Sequence, residues 1–142
     1  MLAEIKKLIK EKNMCVLATI AGNKPYCSLM VYATNENCTE IYMATHRSTQ
    51  KFRNLIENPA VSLMIDTREA FPRSNAQALT VSGECELIAD TLKKEQARSK
   101  LTAVHPYLKD FVKHPENEIL LVRIKSFLLL RGLSDAHYAT LE

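Results

Sequence analysis

Residues 14–45 read MCVLATIAGNKPYCSLMVYATNENCTEIYMAT, and this stretch decides the fold. Met14–Ala21 is an apolar, β-rich run closed by Gly22-Asn-Lys-Pro25, a turn signal. In Tyr26–Thr34, Cys27, Leu29, Val31 and Ala33 alternate with Tyr26, Ser28, Met30 and Tyr32, which predicts a second strand. Asn35–Thr39 is a polar hairpin loop and Glu40–Thr45 a third strand. Three consecutive strands with short connections predict an antiparallel meander.

Upstream, Leu2, Ile5, Leu8 and Ile9 recur at helical spacing among lysines, so residues 1–13 form an amphipathic helix. Downstream, Ser48 or Thr49 caps a short helix with Phe52, Leu55 and Ile56 on one face. Asn58-Pro59 ends that helix, because the residue before a proline is pushed out of the helical region. Ala60–Ile65 is a fourth, nearly all-apolar strand, and residues 67–76 are the longest irregular connection. Leu79, Val81, Gly83, Cys85 and Leu87 mark a fifth strand with a bend or bulge at Gly83. Asp90-Thr91 caps a helix with Ala97, Leu101, Val104 and Leu108 as apolar positions, and Pro106 starts a second short helix. The sixth strand is long, with Leu120, Val122, Ile124, Leu128 and Leu130 facing one way; the tail, residues 132–142, has no period. The expected fold is mainly β: one domain, residues 1–142, with six antiparallel strands in a closed or nearly closed barrel and peripheral helices.

The composition agrees. The chain has 142 residues, 46% hydrophobic and 25% charged, the profile of a globular domain. Its longest apolar runs, Ile119–Val122 and Phe127–Leu130, fall far short of the roughly 20 residues of a membrane helix. The first 13 residues lack a signal peptide's apolar region, so a cytoplasmic protein with no membrane partner is expected. The net charge of +3 is concentrated in the two lysine-rich helices, as solvated faces would place it. No Lys/Arg run with interleaved aromatics points to nucleic acid. Four cysteines without CxxC or zinc spacing read as reduced thiols, with Cys15 and Cys27 inside apolar stretches; no metal is expected.

Three glycines in the whole chain exclude the glycine-rich loops that cradle phosphate in P-loop and dinucleotide folds. An anion must then be held by side chains and a helix N-terminus. Tyr42–Lys51, running from a strand end into a helix start, offers that: Thr45, Ser48 and Thr49 supply hydroxyls, and Arg47 and Lys51 supply charge. An ordinary capped helix with solvent-facing bases is the alternative. His105 and His114 each precede a proline, as caps or solvent-exposed side chains do; His46 adjoins the helix start, and His137 lies in the tail.

The run Cys15–Thr19, Gly22–Pro25, Ser28–Tyr32 and Ile41–Thr45, continued by Thr49–Lys51, Asn54-Leu55, Asn58–Val61 and Leu79–Gly83, resembles the flavin-binding split-barrel family typified by pyridoxamine 5′-phosphate oxidase. The resemblance covers about residues 3–131. It implies a six-stranded antiparallel split barrel that dimerises with FMN at the subunit interface. Carried onto this chain, Leu29, Met30, Val31 and Tyr32 edge the flavin ring, partly through backbone groups. Ala44 and Thr45 correspond to the pair at the end of the third strand, and Thr49, Gln50 and Lys51 to the tripeptide that grips the phosphate. Gln50 stands where the family has arginine, so Arg47 or Arg68 is the candidate replacement. Asp66-Thr67-Arg68 resembles a loop motif of some members and equally an Asp–Arg surface pair. Tyr32 is the one tyrosine considered for stacking.

The departures bear on function. The second strand carries no basic residue between Ser28 and Thr34, the chain has no tryptophan, and the tail lacks an arginine-rich segment. Oxidation of pyridoxamine phosphate itself is therefore not expected. The leading expectation is a flavin-dependent oxidoreductase acting on an unidentified small molecule. The alternatives are a flavin, deazaflavin or haem carrier or sensor on the same dimeric scaffold, and a dimer whose cofactor site has decayed. No histidine sits where an axial haem ligand would be anticipated.

Overall fold

The computed structural model of the protein describes residues 1–141, and of Arg73 the backbone only. Helix α1 (Leu2–Glu11) is followed by strands β1 (Met14–Ala21), β2 (Lys24–Val31), β3 (Ala33–Thr34) and β4 (Glu40–His46). Then come α2 (Gln50–Glu57), β5 (Ala60–Asp66), β6 (Gln77–Leu87), α3 (Thr91–Val104), β7 (Asn117–Arg131) and β8 (Asp135–Thr140). Short 3₁₀ turns occupy Arg73–Asn75, Pro106–Leu108 and Phe111–Lys113. All pairings are antiparallel, in the order β2-β1-β5-β6-β7-β4-β3, with β8 added on β7. The two ends of that order, β2 and β3, are consecutive pieces of chain separated by Tyr32 alone, so the sheet curls almost into a barrel.

The architecture matches expectation, with eight strands instead of six. The predicted second strand is divided at Tyr32, whose first half pairs β1 and second half β4. Its N–H bonds the Asn13 carbonyl and its hydroxyl donates to the Ile9 carbonyl at 2.7 Å, which draws the chain inward. The tail is not aperiodic: Asp135–Thr140 pairs residues 126–131 of β7. That pairing is carried by backbone and leaves its side chains exposed or half-buried, so no apolar period announces it. Glu142 lies outside the described residues.

Parity errors have a common origin in register. Cys15, Leu17 and Thr19 point into the barrel opposite Met30, Ser28 and Tyr26, so Cys27 and Leu29 face outward. Cys27 is exposed rather than buried. On β7, Leu120, Val122 and Ile124 face the interior, but a bulge opposite Ser82/Gly83 inserts Lys125 and flips the phase. Phe127 and Leu129 then fill the core, while Leu128 is exposed and Leu130 half-buried.

Two cores result. The barrel interior gathers α1, β1, β4–β7 and Leu55 of α2, whereas α3 and the following turns cover the outer face of β4 and β7 through Ala97, Leu101, Leu108 and Val112. Both faces of β7's first half are buried, which explains the unbroken Ile119–Val122 run. Ile56 and Val104, expected on apolar faces, are exposed. Among the described residues no helix is long and apolar enough to cross a membrane.

Candidate functional site

The end of β4 delivers Thr45 to the start of α2. Thr45 is buried, and its Oγ1 lies 3.0 Å from Thr49 Oγ1. Thr49 is the N-cap: its oxygen accepts from Phe52 N–H at 3.3 Å and its single proton goes to the His46 carbonyl at 2.9 Å. Thr45 is therefore the donor in the threonine pair. The Arg53 N–H reaches the Thr49 carbonyl, which leaves the amides of Gln50 and Lys51 as the open donors of the first turn. His46 Nδ1 accepts from the Ser48 N–H at 3.0 Å and braces this turn.

Lys51 is half-buried at the helix head, and burial alone lowers its ammonium pKa. No carboxylate lies within ion-pair distance of it among the described residues. Gln50 is engaged at both ends within its own helix: Nε2 donates to Asn54 Oδ1 at 2.7 Å, and Oε1 accepts from Arg53 Nη2 at 2.9 Å. Neither replacement cation considered from sequence is available. Arg47 turns toward the start of β7, donating to Glu118 Oε1 and the Pro115 carbonyl, both at 2.9 Å. Arg68 clasps Asp66 through Nε and Nη2, and this bonding holds the Asp66 carboxyl below its ordinary range. The surface-pair reading of Asp66–Arg68 describes the geometry.

The structure thus brings Thr45, Thr49, Gln50 and Lys51 together, and sets Leu29–Tyr32 apart. Helix α2 is pinned to β1 by Asn54 Nδ2 donating to Thr19 Oγ1 at 3.0 Å. Leu29 pairs with Val16, three residues along β1, or roughly 10 Å away at strand rise. Of the four, only Leu29 presents an open side chain, 70% exposed. Met30 is buried in the barrel, and Val31, like Ala44 on β4, packs half-buried against the α3 core. Tyr32 is 1% exposed with its hydroxyl committed, so it offers no stacking face. Strand β2 ends the sheet order, and its far edge keeps free backbone groups. Leu29 also floors a cleft of about 460 Å³ with Met14 and Met64, rimmed by Lys12, Asp66 and Arg68.

Three residues escaped the sequence reading. His105, read as a cap or solvent-facing side chain, is 4% exposed, with Nε2 donating to the Tyr32 carbonyl at 2.9 Å. Asn54 and Arg53 form the bonding chain through Gln50; the i,i+4 and i,i+3 spacings from Gln50 were the available signal.

Comparison with known proteins identifies the family and the fold. The family model described as pyridoxamine 5′-phosphate oxidase matches residues 1–130. No curated protein matches the sequence itself. Among solved structures, Campylobacter jejuni ChuZ superposes with a TM-score of 0.84 at 14% identity, over 98% of this chain and 58% of that one. A haem-binding protein from Mycobacterium smegmatis gives 0.80 at 17% identity, over 94% and 57%. A FAD-binding protein from Mesorhizobium loti gives 0.78 at 18% identity, over 95% of each chain. The chain therefore spans little more than half the length of the first two and nearly all of the third. At these identities the superpositions speak for the fold. The family match, running through β1, the α2 head and the bulged strand pair, speaks for descent, and the chain belongs to the pyridoxamine 5′-phosphate oxidase family.

Proposed function

We propose that the protein binds FMN and serves flavin-dependent oxidoreduction of a small organic molecule, as a homodimer with the cofactor between subunits. The observation that carries this reading is the half-buried Lys51 ammonium without a carboxylate, beside two threonine hydroxyls and the open amides of a helix start. A cation desolvated without a partner costs stability, and an anion at that point offsets the cost. The donor set fits a phosphate monoester: Lys51 supplies charge, the open amides of Gln50 and Lys51 supply directed hydrogen bonds, and the Thr45–Thr49 pair holds the helix start in place. The edge of β2 around Leu29, three residues along β1 from the anchor of α2, fits the ring end of the same molecule through backbone groups and an apolar side chain. When bound, flavin supplies electron and hydride transfer, and the protein supplies position and electrostatics.

The outer face of β2, β1 and β5 supports the homodimer. Met14, Leu29 and Met64 are 48%, 70% and 41% exposed there, beside the exposed Cys27, and among the described residues no helix covers them. An uncovered apolar face of this kind marks an interaction surface.

Purified protein should take up FMN and show flavin absorbance bands, with bleaching by NADH or NADPH separating an oxidoreductase from a carrier. Lys51→Ala should weaken FMN binding by about 1.5–3 kcal/mol, the worth of a hydrogen bond to a charged group. Failure to bind added FMN, or a haem spectrum in its place, refutes the reading.

A further inference from the structure

We propose that the cleft floored by Leu29 receives the small molecule on which the flavin acts, and that it selects an apolar molecule carrying a carboxylate and an ammonium at one end, as an apolar α-amino acid does. The inference rests on the flavin reading above and deepens it by naming the substrate class.

The rim of the cleft begins with a fixed turn. Thr67 is buried; its N–H donates to the Gln77 carbonyl at 3.0 Å, and its Oγ1 accepts from the Gln77 N–H at 2.8 Å. The Thr67 carbonyl accepts from the Ala70 N–H at 3.0 Å, which closes residues 67–70 into a turn tied to the start of β6. Asp66 stands at the head of this turn. Its carboxylate accepts from the Arg68 N–H at 3.1 Å, from Nε at 2.9 Å and from Nη2 at 2.6 Å. The guanidinium is thus held along one edge, and its Nη1 makes no hydrogen bond among the described residues.

Exposure then decides which charges meet a ligand. In the Asp66–Arg68 pair the aspartate side chain is 14% exposed and the arginine 71%, so the guanidinium faces out. In the Lys12–Glu69 pair, at 2.6 Å, the order is reversed: the lysine is 22% exposed and the glutamate 63%, so the carboxylate faces out. Both pairs line the same cleft of about 460 Å³. Lys12 also acts on Asp66, and Glu69 on Arg68, so the four charges alternate in sign and sum to zero. A carboxylate alone would meet Glu69, and an ammonium alone would meet Arg68. A ligand carrying both satisfies the two outward groups and adds no net charge to the cleft. Met14, Leu29 and Met64 form the floor for its apolar body, and the methionine side chains adapt to its shape.

Isothermal titration of the protein, with and without added FMN, compares L-leucine with isopentylamine, which lacks the carboxylate, and isocaproate, which lacks the ammonium. Leucine should bind about tenfold more tightly than either, as a charge-assisted hydrogen bond is lost with each analogue. Arg68→Ala should weaken leucine about tenfold and leave isopentylamine no weaker than in the wild type. Glu69→Ala should weaken leucine and spare isocaproate. A general loosening of the turn would instead weaken all three probes together, and that result overturns the assignment. Equal affinity for leucine and its two analogues overturns it as well. If FMN binds and none of the three probes does, the cleft assignment falls and the flavin reading stands. If leucine binds in the expected pattern to a protein that takes up no flavin, the flavin reading falls and the site for a doubly charged apolar ligand stands.

Discussion

Glu40 shows how much one side chain can organise beyond the reach of local sequence patterns. Its Oε1 accepts from Tyr42 Oη at 2.7 Å and Lys93 Nζ at 2.6 Å, and its Oε2 accepts from Arg123 Nη1 at 3.3 Å. Burial alone would raise the Glu40 carboxyl pKa, but the hydrogen bonds from Lys93 and Tyr42, with the charges of Lys93 and Arg123, outweigh it. The net shift is downward, so the folded state binds a proton less readily than the unfolded chain. That contribution to stability is present above the unfolded pKa, near 4.3, and is lost as pH falls through the lower folded value. Glu40→Gln should therefore cost about 1–3 kcal/mol at neutral pH and flatten the acid limb of the stability curve. Urea midpoints measured from pH 7 down to 3 check this. A residual slope of the same sign is expected from Asp66, whose carboxyl Arg68 also holds low. Partners 53 and 83 residues away in sequence carry this effect, which is why pattern reading could not find it.

Among the elements, signals that act within one segment were legible and signals that depend on a neighbour were not. Thr49 and Asp90 cap α2 and α3 through bonds to Phe52 N and Lys93 N, as their residue types announced. The same local reading found the head of α2, because hydroxyls and a lysine at a helix start need no tertiary context to be suspected. It could not find which arginine is spent, since Glu118 and Pro115 meet Arg47 from 68 or more residues away. Gly83 was read as a bend or bulge of its own strand, but the extra residue is Lys125 on the partner strand opposite it, which turns Leu128 out and Phe127 in. The glycine is required there: a Cβ at position 83 would run into the backbone carbonyl of Arg123. Gly83→Ala should thus force β6 and β7 apart at the bulge and destabilise the fold by about 1–3 kcal/mol, the usual cost of overpacking. Denaturant titration should show a lower midpoint with an unchanged slope; an unchanged midpoint would mean that the bulge relaxes freely.

For the molecule as a whole, the curled sheet has two outer faces with different fates. The β4–β7 face is roofed by α3, while the β2-β1-β5 face carries exposed Met14, Leu29 and Met64 without cover. Both look alike in sequence, because alternation reveals that a strand has two faces but not which one a distant helix will reach. The uncovered face also holds the exposed thiol, Cys27. Cys15, Cys38 and Cys85 lie in the interior, where reagents do not reach them in the native state, and burial also pushes the Cys15 and Cys85 thiols up to about 12. This arrangement makes Cys27 a reporter of what covers Leu29. If a second copy of the chain does so, native protein at high concentration should sediment as a dimer of the 16.1 kDa chain and react slowly with a thiol reagent. Leu29→Asp places a charge in the middle of the apolar face, where a desolvated carboxylate has no partner. It should sediment as a monomer and release one thiol equivalent quickly, with the other three appearing only on denaturation. A wild type that is monomeric at high concentration, with Cys27 freely reactive, would leave the apolar face without a second copy and would remove the shared wall on which the proposed cofactor position depends.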